Sequence, residues 1–116
     1  MSVDDSPSVR QMVTFSLEAA GYQVATASDG QEALDMLKAQ SADMVITDLN
    51  MPRMDGLTLI KELRALSTFK FTPIILLTTE SQADRKEAGK TAGATGWIVK
   101  PFQQEQLLAV VKKVLG

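Results

Sequence analysis

Histidine and cysteine are both absent from this chain, which removes His-based triads, thiol nucleophiles and ordinary zinc sites from the chemistry open to it. Carboxylates, hydroxyls, lysines and a hard cation remain. Their placement is not scattered. Asp4 and Asp5 follow the apolar start Met1–Val3, Asp48 follows Ile46-Thr47, Thr78 follows Leu76-Leu77, and Lys100 follows Ile98-Val99. Each stands directly after a short apolar run of the kind that forms a buried strand. Three carboxylates brought together repel one another and favour a cation among them. Mg²⁺ suits such a group, being hard, oxygen-liganded and usually held by one or two carboxylates, water and phosphate. A lysine beside the cluster can pair a carboxylate and later a phosphoryl oxygen, and a threonine hydroxyl adds a neutral donor. These parts suit phosphoryl transfer, where positioning and charge neutralisation supply nearly all of the catalysis.

The elements that must position them alternate between strand-like and helix-like from end to end. Ser6-Pro7 reads as an N-cap with proline at the first helical position, and Val9, Met12, Val13, Leu17 and Ala20 keep one face until Gly21. Val24–Ala27 reads as a second strand, and Ser28 and Asp29 can cap a helix carrying Ala33, Met36 and Leu37. Met44–Thr47 is a buried strand leading into Asp48 and a turn-rich loop through Gly56. A third helix then carries Leu59, Ile60, Leu63 and Leu66. Ile74–Leu77 is the fourth strand. Gln82–Ala92 is helical but polar, with Gly89 inside it, and predicts a weakly held helix. Trp97–Val99 is the fifth strand, and Leu107, Val110, Val111, Val114 and Leu115 stripe the last helix. Five βα units with short connections predict an α/β fold with a parallel sheet covered on both faces. Right-handed crossovers bring all strand C-termini to one edge, where such sheets bind ligands. Met1–Val3 is short for a central strand, which typically runs about five or six residues.

At this point four stretches are similar to the signatures of bacterial response-regulator receiver domains. They are Val3-Asp4-Asp5-Ser6, Asp48-Leu49-Asn50-Met51-Pro52-Arg53-Met54-Asp55-Gly56, Leu76-Leu77-Thr78-Thr79-Glu80 and Val99-Lys100-Pro101-Phe102. They stand in the family's order and spacing, and the resemblance covers essentially the whole chain as one domain, 1–116, of the stand-alone chemotaxis (CheY-like) type. It implies a flavodoxin-like, doubly wound five-stranded sheet of order 2-1-3-4-5 with five helices, an order taken from the CheY-like fold itself. It implies that Asp48 is the phosphoacceptor, becoming 4-aspartylphosphate. Asp5 and Asp48 would ligate Mg²⁺ directly with the backbone carbonyl of Asn50, and Asp4 would act through a water. Lys100 would contact the acidic site and then the acyl phosphate, through a cis bond to Pro101. Thr78 would bind the phosphoryl oxygen and the ring of Trp97 would swing inward with it. Asn50 and Glu80 would flank the path of the water that removes the phosphate and tune that rate. The implied partners are a sensor histidine kinase of the CheA-like type, necessarily another chain, and a downstream target such as a flagellar motor switch protein. That target would be met by helix four, strand five and helix five of a monomer.

Each residue also has a plainer reading. Asp4-Asp5 could be helix-capping charge, Thr78 a strand threonine chosen for β-propensity, and Trp97 a static core or partner-contact residue. Asp29, Asp35, Asp43, Asp55 and Asp84 lack a strand-end setting and read as surface or turn residues. Composition narrows the classes further. A 116-residue chain with 45% hydrophobic and 22% charged residues is one globular domain, and its net charge of −2 argues against nucleic-acid wrapping. No run approaches membrane-spanning length and no signal peptide is legible, so the expected location is the cytoplasm. The expectation is a self-phosphorylating switch and not an enzyme acting on other molecules. A haloacid-dehalogenase-type hydrolase would want aspartate where Asn50 stands. A receiver excised from a larger regulator, and a pseudo-receiver serving only as an interaction module, are the other rivals.

Overall fold

A computed structural model describes residues 1–79 and 86–115. The elements run β1 Ser2–Val3, α1 Pro7–Ala19, β2 Thr26–Ala27, α2 Gly30–Ala39, β3 Val45–Asp48, α3 Gly56–Ala65, a 3₁₀ turn Ser67–Phe69, β4 Ile74–Thr79, α4 Lys86–Ala92, β5 Gly96–Lys100 and α5 Gln104–Leu115. All strand pairs are parallel and the sheet order is β2-β1-β3-β4-β5. The chain is therefore the doubly wound α/β sheet of order 2-1-3-4-5 with five helices.

Alternation along the strands sorts the core into two layers, because successive side chains leave a strand on opposite faces. Val3, Val45, Ile74 and Leu76 face one way, packing with Leu34, Leu37, Leu59, Ile60 and Leu63 of α2 and α3 and Ala92 of α4. Ile46, Ile75, Leu77 and Ile98 face the other way, against Val13 and Leu17 of α1 and Leu107 and Val111 of α5. Both faces are covered, so β3 is buried throughout and β4 from Ile74 to Thr78.

The helix ends follow the expected chemistry. Ser6 caps α1 with Pro7 in the first turn, Asp29 caps α2 through the Glu32 amide, and Asp55 caps α3 through the Thr58 amide. Gly21, just after α1, takes a positive φ of 98°. One expected boundary needs correction. The second strand is confined to Thr26–Ala27, not Val24–Ala27, because only Ser2 and Val3 of β1 are there to pair with it. The helix expected over 82–92 is seen as α4 from Lys86, with residues 82–85 outside the described residues. At Gly89 within it a Cβ would stand 2.9 Å from Leu76 Cδ2, so its hydrogen lets α4 sit close on β4. Arg64 fastens the far end of this helix. Its guanidinium donates to the carbonyls of Phe69 and Thr72 at 2.7 Å each and of Gly93 at 3.0 Å, joining α3, the lead into β4 and the turn after α4.

Gly56 fixes how β3 hands the chain to α3. Its amide donates to the Leu49 carbonyl at 2.8 Å, and a Cβ on it would collide with the backbone carbonyl of Asp48. Backbone cannot swing aside as a flexible side chain can. Gly56→Ala is expected to destabilise the fold by about 1–3 kcal/mol, read as a lower urea midpoint with an unchanged slope.

Candidate functional site

The ladder registers determine which strand-end residues meet. Val3 pairs with Thr47, so Asp4 lies level with Asp48. Asp48 pairs with Leu77, Leu77 with Ile98, and Lys100 follows Ile98 by two residues on the same face. Lys100 Nζ reaches back to Asp48 Oδ1 at 2.9 Å and to Asp4 Oδ2 at 3.4 Å. The Lys100-Pro101 bond is cis, as the resemblance implied. Asp4, Asp5 and Asp48 each offer a carboxylate oxygen within 4.8 Å of the other two.

The three carboxylates differ in setting. Asp4 is 1% exposed, accepts from the Ser6 amide at 2.9 Å, and its carbonyl accepts from the Arg10 guanidinium. Asp5 is exposed and Asp48 is buried. Burial pushes Asp48 above the ordinary carboxylate range; the Lys100 hydrogen bond opposes this only in part, and the negative Asp4 adds to it. For Lys100, burial alone would lower the ammonium, but the hydrogen bond and charge of Asp48, with Asp4 behind it, hold it above its ordinary value. The acidic cluster is thus overloaded with negative charge even with its lysine in place.

Thr78 is one residue beyond Leu77, the ladder partner of Asp48. It is fully buried, and its hydroxyl has no hydrogen-bond partner among the described residues. An orphaned buried hydroxyl carries a desolvation cost unless a ligand answers it. Thr78 pairs with Val99 and Leu76 with Trp97, so Thr78 and Trp97 share one face of the sheet on adjacent strands. Trp97 is 39% exposed and stands at the surface in this state. Asn50 is exposed, two residues past Asp48. Glu80 lies outside the described residues, as does Asp84. Asp35, Asp43 and Asp55 are surface or turn residues as read. Asp29 is not: besides capping α2 it is buried and carries an ion pair to Arg53 at 2.9 Å.

The profile of the response regulator receiver domain matches residues 1–112. The chain belongs to that family. Among solved structures, this receiver is 51% identical to the chemotaxis response regulator CheY4 of Vibrio cholerae, with a TM-score of 0.94 over 98% of this chain and 95% of that one. It is 28% identical, with a TM-score of 0.91, to the receiver domain of a Pseudomonas aeruginosa sensor histidine kinase, whose structure has a magnesium ion coordinated in the active site cleft; 99% of this chain and 94% of that one are covered. Among curated proteins, it is 42% identical to the response regulator MprA of Mycolicibacterium vanbaalenii over 97% of this chain and 48% of that protein. The receiver spans about half the length of the curated relatives it matches. Its fold and clustered aspartates are those of a phospho-accepting regulator. Among the described residues, no helix is long and apolar enough to cross a membrane.

The charge balance predicts a pH signature. A carboxyl raised in the folded state costs stability once ionised, and that cost fades as pH falls through the carboxylate range. Asp48→Asn is therefore expected to raise the melting temperature of the metal-free protein at neutral pH, with the gain shrinking on acidification. Lys100→Met, which strands the buried carboxylates, is expected to cost about 3 kcal/mol at neutral pH. Thermal melts of the three proteins across pH check both signs.

Proposed function

We propose that this chain is a single receiver domain, 1–116, of a two-component system, accepting a phosphoryl group on Asp48 from the phosphohistidine of a separate sensor kinase. The observation that carries the assignment is Lys100 Nζ at 2.9 Å from Asp48 and 3.4 Å from Asp4, with the orphaned Thr78 hydroxyl one residue beyond the Asp48 row.

A carboxylate oxygen of Asp48 attacks phosphorus; the new P–O bond forms as the P–N bond to the donor imidazole breaks, and the imidazole leaves with its proton. Lys100 gives up part of its pairing with Asp48 and turns its ammonium to a phosphoryl oxygen, while Asp4 keeps it charged and in place. Thr78 donates its hydroxyl hydrogen to another phosphoryl oxygen and gains the partner it lacks. The donor set of Asp4, Asp5 and Asp48, with the Asn50 carbonyl, fits a hard divalent cation. Mg²⁺ bound there supplies neutralisation of the carboxylates and of the incoming phosphoryl oxygens. By the family resemblance, Asn50 and Glu80 are assigned the tuning of the water attack that removes the phosphate, and so of the lifetime of the signal.

Phosphorylation adds roughly −1.5 to −2 charges, and answering them re-biases the face of α4, β5 and α5 through Thr78 and Trp97. We assign the output to a chemotaxis-type partner such as a flagellar motor switch protein, with a CheA-like kinase as donor, a cytoplasmic location and a monomeric state. The 51% identity to CheY4 over nearly all of that chain supports this. The half-length match to MprA favours a second reading, in which the same receiver drives an output domain of a longer regulator.

Acetyl phosphate with a magnesium salt is expected to add one phosphate to the parent and none to Asp48→Asn, by intact mass; phosphate mapped elsewhere in that variant would sink the assignment. Beryllofluoride with Mg²⁺, compared with Mg²⁺ alone, is expected to shift Trp97 emission and reduce its quenching by acrylamide. Thr78→Ala is expected to bind the mimic without the shift. The same response in both proteins would leave Trp97 as a static residue.

A further inference from the structure

The loop that leaves Asp48 is held at two places. At its base the Gly56 amide closes onto the Leu49 carbonyl, and near its tip the Met54 amide donates to the Pro52 carbonyl at 2.7 Å. Between them Arg53 adopts a φ of 65°, a left-handed conformation that non-glycine residues seldom take and that persists only where surrounding contacts hold it. Glycine is the usual occupant of such a position. Arginine here accepts the strain and reaches α2. Its Nε donates to Asp29 Oδ2 and its Nη2 to Asp29 Oδ1, both at 3.0 Å.

The receiving carboxylate is well anchored. Asp29 accepts from the Glu32 amide at 2.8 Å, which is the first reason its carboxyl is held below the ordinary range, with Arg53 reinforcing it against burial. Next to it, Gly30 has no room for a Cβ because the Met54 carbonyl lies against it. The loop tip therefore rests directly on the first turn of α2. An isolated surface ion pair contributes little, and the Arg53 side chain is 60% exposed. This pair differs in being two-pronged, seated on a carboxylate side chain only 10% exposed and already fixed by a helix amide.

We infer that Asp29 and Arg53 form a positioning clamp that holds the loop through Asn50, and thereby the cation-binding geometry of the acidic cluster, by tying the loop tip to α2. The clamp rests on the reading of that cluster as the cation and phosphoryl site. Both residues act through the loop and neither touches the reacting atoms.

The test uses two variants whose charges change in opposite directions. Asp29→Asn keeps an oxygen able to cap α2 and removes a negative charge; Arg53→Gly removes a positive charge and relieves the strained φ. Calorimetric titration with Mg²⁺ alone is expected to show binding weakened in both, by about tenfold, the scale on which supporting residues act. Hydrogen exchange of the amides of residues 50, 51, 53 and 54 is expected to quicken in both, and the double variant should bind no more weakly than either single one. A simple field effect would instead tighten binding in Arg53→Gly and loosen it in Asp29→Asn, and that result would overturn the clamp. Unchanged affinity in both variants, or additive losses in the double variant, would overturn it as well. If the parent itself binds no Mg²⁺ while Asp48→Asn matches it, the site reading fails and the clamp with it; a parent that binds alongside two unaffected variants rejects the clamp alone.

Discussion

One ammonium group between two buried carboxylates organises this molecule. Lys100 Nζ touches Asp48 and Asp4 together; removing the lysine strands two buried carboxylates, whereas removing either carboxylate leaves a matched pair. Buried ion pairs rarely add stability over an apolar replacement of the same shape. Retaining one here makes sense as chemistry. The lysine is charged, close and incompletely matched, since three carboxylates converge on one cation. The mismatch leaves the site with a demand for positive charge, and Lys100 with a ready alternative oxygen to bind. A fully neutralised cluster would have neither property.

The sheet supplies the precision. In a parallel ladder evenly spaced bonds lock the registers of successive strands, so placing Val3 opposite Thr47 and Leu77 opposite both Asp48 and Ile98 settles where every site residue stands. The same pleat puts Thr78 and Trp97 on one face and Asp48 and Lys100 on the other. The strand ends thus present the first pair toward the α3 and α4 side of the sheet and the second toward the side of α1 and α5. The close seat of Gly89 on Leu76, whose ladder partner is Trp97, holds α4 to the first of these faces.

Much of this was legible from residue order because a parallel βα repeat obliges strand ends to converge. The polar residue after each apolar run marked Asp4, Asp48, Thr78 and Lys100 before any coordinates were needed. Less legible were features that depend on a partner distant in sequence. Asp29 carries a clear capping signal, yet nothing local says that Arg53, 24 residues on, folds over it. The close seat of Gly89 on Leu76 was not legible, because a helix pattern is blind to the strand beneath it. Asp4 and Asp5 are chemically identical neighbours, and only the path of the chain buries one and exposes the other. The short β2 follows from the two-residue pairing with β1, which propensity along Val24–Ala27 cannot report.

The distance along the chain between Lys100 and Asp4, 96 residues, bears on how the molecule comes into being. Contacts of such separation close late, after local units have formed, because the entropy of the intervening loop must first be overcome. During synthesis, Asp4 and Asp48 emerge well before the strand that carries their lysine. A partly made chain holds the buried carboxylates without the ammonium that answers them or the edge strand that carries it. The charge balance of the acidic cluster and the edge of the sheet are therefore completed together, by β5.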